Sequence, residues 1–540
     1  MKKIIFSALI VTMGLFACDD FIEHDERGTQ NLDNYFQTAE ECQVFVNDLY
    51  RSAFMINNWE YQATRLANET ATDDAWMGNT GQDASSFQPA AHYLIAPNRM
   101  GYLSTEFAKR FENISACNLA INNIPGAPVS EAQKDQLVGE ALFMRAYNYY
   151  HLVNNFGGVP LILTTLSTSE MNKERVSKEE IYAQIESDLK AAIPRVKASY
   201  GSTDVGRVNK WACTAMLARV SLFQSKWQQA YHYADTTIVN SGYTLEPNFV
   251  NIWDVNNHNG VESILEMQTH PITISSSIWQ GNELCTFTGA RGEKKENFPS
   301  NSTDDVMDGW GWGTPTSDLE NCYISEKDDI RRRSTITRCG EAAYGDEVDN
   351  PTHIFDLAQN KSGRIIRKFY LPVATRRALE DKRFHAPLNV PVLRLAEMYL
   401  TRAEAAYYQN NFDQAANDMD VVRARVNLAP KKGTVTGNDL LRAIWKERRM
   451  ELAFEDIRLY DIRRQIDPDT QKPVIASLMG ANGSFIRYNT TQSTDEYETT
   501  NLKELQNKGI NFDINKHLLW PIPQSEIDRS SGKITQNPNY

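Results

Sequence analysis

Positive charge is in short supply in this chain. It carries 56 Lys and Arg residues against 69 Asp and Glu residues, which gives a formal net charge of −13 at pH 7. A nucleic-acid partner needs a basic surface that neutralises phosphates, so this balance argues against one. It argues equally against a polybasic patch that would hold the protein on an anionic membrane.

Several motifs that indicate chemistry are also missing. The seven Cys form no C-x-x-C pair, the nine His form no H-E-x-x-H motif, and G-x-S-x-G is absent. A zinc ribbon, a zinc peptidase and a serine esterase are therefore unsupported. The acidic run Asp304, Asp305 and Asp308 lacks the spacing of a calcium loop. We expect no cofactor and no metal site.

Long apolar runs are absent after the N-terminus. Residues 4–16 are apolar and follow Lys2 and Lys3. This run falls short of the ~20 residues of a membrane-spanning helix, and it fits a secretory signal peptide. The next letters, "LFAC", resemble a bacterial lipobox, in which residues 1–17 are removed and Cys18 is lipidated. The alternative is a plain signal peptide with an incidental Cys. We expect membrane attachment by the lipid anchor only.

Because the signal peptide predicts export, the other six cysteines are expected in a compartment where disulfides can form. Cys322 and Cys339 are the closest pair in sequence, and a loop bridge between them stays open. Cys117 and Cys213 lie in helical patterns, which favours buried thiols.

Helical periodicity dominates the first half of the chain and returns near its end. Capping boxes begin at Thr38 and at Ser177, each with Glu three residues later. Gly157 and Gly158 mark a helix stop. Residues 438–464, rich in both charge signs, are predicted as one long helix.

An internal repeat links two distant segments. Ala218, Trp227 and Ala230 recur as Ala403, Phe412 and Ala415 at a constant offset of 185 residues. Small residues let two antiparallel helices approach closely, and the aromatic packs where they turn, which is the tetratricopeptide pattern. Such hairpins need neighbours, so we expect three or four of them stacked together. Residues 241–390, rich in Gly, Asn, Thr and aromatics, predict short strands and long loops.

These stretches resemble the SusD/RagB family of outer-membrane nutrient-binding lipoproteins. The resemblance rests on "GEALFMRAYNYYHLVNNFGGVPL", "GRVNKWACTAMLARVSLFQSKWQQAYHYAD", "VPVLRLAEMYLTRAEAAYY", "IWKERRMELAFEDIRLYDIRR" and the chain end "LLWPIPQSEID…TQNPNY". It implies a mostly α fold, a tetratricopeptide-like hairpin scaffold with loop-rich insertions and a few short strands. It also implies an N-terminal helical region at 18–245 and a C-terminal region at 246–540 that carries the ligand-binding insertions.

The resemblance further implies a function. Family members are lipid-anchored on the cell surface, dock on a TonB-dependent, SusC-like transporter barrel, and capture a nutrient without cleaving it. The nutrient is usually a glycan oligosaccharide and in some members a peptide.

Aromatic residues in polar loops are the candidate ligand contacts, because an indole or phenol ring can stack on the apolar face of a sugar. The aromatic candidates are Trp59, Trp76, Trp279, Trp310, Trp312 and Tyr323. The candidate hydroxyl partners are Asp73, Asp74 and Asn79. For each loop Trp, packing of the loop onto the scaffold is the alternative.

Two other functions stay open from the residues alone. Glu447, Glu451 and Glu455 share one helix face at i,i+4 spacing. Two carboxylates from this face, or Asp73 with Asp74, could serve a secreted glycoside hydrolase. An ion-pair network that joins helices is the favoured interpretation, so we expect no enzymatic activity. A pure scaffold, whose only partner is the barrel, is a third possibility.

The chain end is unusually apolar for a terminus. Pro521 and Pro523 favour an extended path, and Trp520 with Ile522 can anchor it. We predict that this segment is a strap across the C-terminal helices.

Overall fold

Helices dominate the computed structural model, which describes residues 35–54, 59–78, 86–165, 173–269, 281–360, 362–379, 382, 386–487 and 508–540. The helices are α1 (Ala39–Ala53), α2 (Trp59–Thr70), α3 (Gln88–Ala91), α4 (Leu103–Asn123), α5 (Glu131–Phe156), α6 (Lys178–Ala192), α7 (Lys210–Phe223), α8 (Trp227–Asn240), α9 (Leu284–Thr288), α10 (Ser317–Glu326), α11 (Asp329–Thr335), α12 (Val373–Ala378), α13 (Leu395–Tyr408), α14 (Phe412–Arg425), α15 (Gly437–Leu452), α16 (Arg458–Arg464), α17 (Val474–Leu478), α18 (Ser484–Arg487) and α19 (Gln524–Arg529). The strands are β1 (Ser263–Met267), β2 (Ile336–Arg338), β3 (Arg364–Ile366) and β4 (Val390–Arg394). The mostly α fold class is confirmed.

The predicted helix boundaries rest on local chemistry. Thr38 and Ser177 both form complete capping boxes, in which the side chain accepts the N–H three residues on and the Glu there accepts the cap N–H. Gly157 ends α5 with φ of 74°, a backbone conformation that glycine adopts without steric cost.

The internal repeat is confirmed as two helical hairpins. Each boundary of α7 and α8 recurs 185 residues later as a boundary of α13 and α14. Ala218 and Ala230, with their counterparts Ala403 and Ala415, are fully buried. The small side chains therefore lie where the paired helices approach closest.

The two hairpins stack directly on one another. Trp227, the first residue of α8, stacks flat on Tyr408 at the end of α13, with ring centroids 3.9 Å apart and planes 11° apart. Phe412 is the counterpart of Trp227, but it is exposed and meets Tyr407 edge-on. The repeated aromatic thus packs between hairpins at one position and faces solvent at the other.

Helix packing runs continuously along the scaffold. α4 packs on α5, α5 on α6, α6 on α7, α8 on α13, and α13 on both α14 and α15. α8 and α13 lie on opposite sides of the predicted domain boundary at residue 245, and they pack against each other. That boundary stays a prediction.

No helix in the described ranges has the length and apolar character needed to cross a bilayer.

The middle stretch holds short strands, as expected. β1 pairs antiparallel with β4, and β2 pairs antiparallel with β3. β4 leads straight into α13, so the β1–β4 pair ties the loop-rich insertion to the second hairpin.

The prediction of one long helix over residues 438–464 is wrong. The chain breaks between α15 and α16, and Phe454 and Asp456 adopt φ of 64° and 60°. The break lets Glu455 bond Arg394 and Lys368 and lets the Asp456 N–H donate to Glu69. Buried tertiary partners therefore override the helical pattern.

The cysteines of the described ranges are free thiols. Cys322 Sγ lies 3.2 Å from Arg449 Nη1, and Cys339 Sγ lies 3.4 Å from the Phe355 carbonyl oxygen. No bridge joins Cys322 to Cys339 in the structure. Cys117 and Cys213 are buried, as expected, and burial raises the pKa of both thiols.

The chain end is a strap, but its contacts reach further than the C-terminal helices. The Trp520 backbone N–H donates to the Asn155 carbonyl at 2.7 Å, and its indole Nε1 donates to Asn68 Oδ1 at 3.1 Å. Arg463 of α16 lies over the indole at 4.3 Å. The strap therefore holds N-terminal helices against α16.

Removing the anchor of the strap should destabilise the fold. We expect Trp520→Ala to lower the free energy of unfolding by about 3–5 kcal/mol, the usual effect of emptying a large buried site. Arg529→Ala is the control, because that side chain is 73% exposed and surface ion pairs contribute little. Denaturant unfolding measures both variants, and equal stability would contradict the strap.

Three carboxyl groups and a histidine, with Arg65 and Arg110 beside them, meet in the core between α2, α4, α5 and the α15–α16 break. His151 Nδ1 lies 3.8 Å from Glu106 Oε1 and 3.9 Å from Asp456 Oδ2. Glu69 Oε1 accepts the Asp456 N–H at 3.0 Å. Burial raises the pKa of Glu69 to about 8 and of Glu106 to about 7, and it holds the pKa of His151 well below normal.

Stability should therefore fall as pH rises through neutrality. Between its ordinary pKa of 4.5 and about 8, Glu69 keeps its proton in the folded state and loses it in the unfolded state. One such group contributes a slope of at most about 1.4 kcal/mol per pH unit. We expect Glu69→Gln to flatten the dependence of unfolding free energy on pH. Glu112→Gln, at an exposed position, should leave it unchanged, and an unaltered slope in Glu69→Gln would refute the assignment.

Candidate functional site

Residues 75–78 pair with residues 312–315, and both segments carry candidate aromatics. The Trp76 N–H donates to the Thr314 carbonyl at 2.8 Å, and the Gly313 N–H donates to the Met77 carbonyl at 3.0 Å. Gly78 forms a bridge with Trp312, at φ of 98° and so close that a Cβ would lie 2.0 Å from the Gly311 carbonyl oxygen. Glycine is therefore required at position 78.

Residues 309–313, here called the GWGWG turn, also wrap the end of α9. The N–H groups of Trp310 and Trp312 donate to the carbonyls of Thr286 and Phe287 at 2.8 and 2.7 Å. Helix ends leave such carbonyls without helical partners. The GWGWG turn satisfies them and is fixed from two sides.

An aromatic cluster surrounds the GWGWG turn. Trp310 and Trp312 meet with ring centroids 4.7 Å apart, and both lie against Phe287 at 5.1 and 5.3 Å. Phe87 meets Trp312 edge-on at 5.2 Å. Trp312 is only 4% exposed, whereas Trp310 is half-buried. Trp310 is therefore the more accessible of the two indoles.

Trp76 packs away from solvent. It is 4% exposed, its ring lies 5.6 Å from that of Phe485, and the Lys508 ammonium lies 5.3 Å from its centre. In this arrangement Trp76 supports the pairing with residues 312–315, and a ligand contact for it stays a prediction.

Asp73 and Asp74 serve as anchors. Both are fully buried. Asp73 accepts two hydrogen bonds from Arg458, at 2.9 and 2.7 Å, and Asp74 accepts one from Arg449 at 2.7 Å. These bonds tie the start of the Trp76 segment to α15 and α16, so the structure gives both carboxylates a scaffold role.

The two anchoring carboxyls differ in pKa. Burial opposes ionisation of Asp73, but the charges of Arg449 and Arg458 outweigh it and hold the pKa below normal. Burial and the neighbouring Asp73 charge raise the pKa of Asp74 despite the same two cations. One negative charge is thus strongly held and the second is disfavoured, as expected for close carboxyls.

Tyr323 does not lie in a loop, so that prediction is wrong. It is 0% exposed in α10, and its hydroxyl donates to the Met450 carbonyl at 2.8 Å. Thr316 caps this helix and accepts the Leu319 N–H. Tyr323 therefore joins α10 to α15 inside the scaffold.

Cys18, Asn79 and Trp279 lie outside the described residues. Trp59 begins α2, and its ligand contact stays a prediction.

Sequence reasoning missed Glu283, which precedes α9. Its side chain is fully buried, and neither carboxylate oxygen accepts a hydrogen bond. Burial raises its pKa to about 8. Nothing in the local letters "NELCTF" distinguishes a buried Glu from an exposed one.

The charged segment is an ion-pair network, as favoured. Glu451 is fully buried and bonds Arg331 and Arg394 at 3.0 and 2.5 Å, and it also bonds Arg425. Burial opposes its ionisation, but these cations outweigh burial and hold the pKa of Glu451 far below normal. A carboxylate held in this way is unsuited to proton transfer near neutral pH.

Metal ligands do not converge in the described ranges, where no group of three or more His, Cys, Asp or Glu side chains has the arrangement of a metal site.

Two family models match most of the chain. The model described as "SusD family" matches residues 280–540, and the one described as "Starch-binding associating with outer membrane" matches residues 20–222.

Individual relatives agree with these matches. SusD-like protein P2 of Formosa agariphila is 26% identical over the full length of both chains. The starch-binding protein SusD of Bacteroides thetaiotaomicron is 23% identical, over 71% of this chain and 73% of its own. A solved laminarin-binding SusD-like protein superposes with a TM-score of 0.74 at 26% identity, covering 93% of this chain and 99% of its own. The chain belongs to the SusD/RagB family.

Proposed function

We propose that this protein is a cell-surface lipoprotein that binds a glycan and delivers it to a TonB-dependent outer-membrane transporter. One observation carries the glycan assignment. Trp310 presents a half-buried indole on a turn whose backbone is fixed on two sides, in a chain whose relatives include starch-binding and laminarin-binding proteins.

A rigid aromatic platform suits a sugar ligand. The ring of Trp310 is backed by Phe287 and Trp312, so little side-chain entropy is lost when a ligand packs on it. A pyranose ring offers an apolar C–H face of matching size. Laminarin and starch are the first probes, and a peptide ligand is the alternative.

Binding without cleavage fits the carboxylates. The acidic side chains of the charged segment are paired with Arg residues in the interior, and a glycosidase needs two carboxyls facing the substrate. Lipidation at Cys18 and docking on a SusC-like barrel complete the proposal. They rest on the lipobox and on family membership.

Trp310 should dominate glycan affinity. We expect Trp310→Ala to weaken binding about tenfold or more, as for a central aromatic anchor. The measurement is isothermal titration calorimetry against laminarin, starch, xylan and mannan, with a parallel assay for released reducing ends. Phe412→Ala removes an exposed aromatic at the far hairpin and should leave affinity unchanged.

Three results would contradict the proposed function. Wild-type protein that binds none of these glycans would overturn the sugar assignment, and released reducing ends would overturn the binding-only assignment. Unchanged affinity in Trp310→Ala would move the site elsewhere.

Arg449 stabilises the segments on either side of the GWGWG turn. It bonds Asp74 at 2.7 Å and Asp318 at 2.8 Å, and therefore joins α15 both to the Trp76 segment and to α10, which follows the GWGWG turn. Losing it removes the cation that bonds the buried Asp74 carboxyl.

Arg449→Ala should therefore cost much more than loss of a surface arginine. We expect the free energy of unfolding to fall by about 3–5 kcal/mol, with weaker glycan binding at temperatures where the variant is folded. Arg442→Ala is the matched control on the same helix, because its side chain is 36% exposed and such pairs contribute about 0–1 kcal/mol. Similar losses in both variants would contradict the anchoring role.

A further inference from the structure

A cleft opens beside the GWGWG turn. It has a volume of about 560 Å³ and lies between residues 292–297 and residues 354–359. Ligand pockets in proteins commonly measure about 300–1,000 Å³. The cleft is therefore large enough for one or two sugar rings.

One wall of the cleft is continuous with the GWGWG turn. Gly311 is so close to the second segment that a Cβ there would lie 3.1 Å from the Gln359 carbonyl oxygen. Asn360, which follows Gln359, accepts the Arg291 N–H at 3.1 Å and donates to the Arg291 carbonyl at 2.8 Å, and so joins this wall to the other one. Trp310 directly precedes Gly311, so its Cα lies about 3.8 Å from that of Gly311. The backbone of the GWGWG turn therefore lies next to the cleft.

The polar groups of the cleft are held in position. The Asp356 carboxylate accepts the Ala358 N–H at 2.9 Å and the Gln359 amide at 2.6 Å. These bonds lower the pKa of Asp356, with the Gln359 bond the largest cause. Asn297 donates to the Ile354 carbonyl at 3.3 Å. Fixed carboxylate and amide groups are suited to bonding sugar hydroxyls.

The other lining groups favour a neutral, hydroxyl-rich ligand. Ile354 is 43% exposed and offers apolar surface to a ring face. Lys294 and Asp356 place opposite charges on the lining, so neither an anion nor a cation is favoured. Glu293 also lines the cleft, but it is buried and its carboxylate is engaged with His353 and Arg376.

We propose that this cleft is a second sugar subsite, which binds a residue of the same glycan chain that packs on Trp310. The inference rests on the proposed glycan-binding function. Asp356 and Gln359 bond the hydroxyls, and Ile354 contacts the ring face. Because the two subsites bind different residues of one chain, the cleft contributes only when the chain is long enough to reach it.

Oligosaccharide length tests this subsite. The variants are Asp356→Asn, which retains an oxygen for the Ala358 bond, and Gln359→Ala. Lys295→Ala is the matched control, because Lys295 is exposed on the same segment and outside the lining. Calorimetry compares laminarihexaose with laminaribiose, and maltohexaose with maltose, and thermal melting checks the fold of each variant.

We expect both cleft variants to bind the hexasaccharide that wild-type protein binds about tenfold more weakly, roughly the loss of two good hydrogen bonds. Binding of the disaccharide should be unchanged, whereas Trp310→Ala should weaken both. Unchanged hexasaccharide affinity in the cleft variants would overturn the subsite and leave the proposed function intact. Equal weakening at both lengths would also overturn it. Absence of any binding by wild-type protein would overturn both proposals.

Discussion

The contacts of Glu451 are the interaction on which the rest of the structure depends. Its carboxylate lies fully buried among Arg331 of α11, Arg394 at the end of β4 and Arg425 of α14. Moving a carboxylate out of water costs several kcal/mol, and close, well-bonded partners are needed to offset that loss. Glu451 therefore requires α11, β4 and α14 to meet α15 together, and this meeting joins the repeat scaffold to the loop-rich insertion.

The same helix extends this constraint to the candidate site. Arg449 stands two residues before Glu451 and bonds Asp74 and Asp318. A displacement of α15 would thus strain the hairpin scaffold and the segments around the GWGWG turn at once. Rigid support of this kind suits a binding platform, because binding then requires little ordering of the protein and loses little entropy.

The sequence predicted what local chemistry decides. The repeat of small and aromatic residues placed α7, α8, α13 and α14 because close helix approach restricts residue size at fixed spacings. The capping boxes succeeded for the same local reason. The break after α15 was missed because the residues that stabilise it, Arg394, Lys368 and Glu69, are far away in sequence. The burial of Tyr323 and Glu283 was missed because solvent exposure depends on what packs above a residue.

The buried carboxylates described above stabilise the fold, whereas Asp356 lies at the cleft. An acid–base pair needs a carboxyl with a raised pKa beside an ionised one in a cleft. Here Glu451 and Glu455 are held ionised by buried Arg and Lys partners, and burial deep in the core raises the pKa of Glu69 to about 8 and of Glu106 to about 7. Asp356, which lines the cleft, has a lowered pKa and bonds an amide. Asp356 is thus suited to accepting hydroxyl hydrogen bonds from a sugar. We infer that ligand choice depends on exposed loop side chains, which can change without disturbing the buried network that supports them.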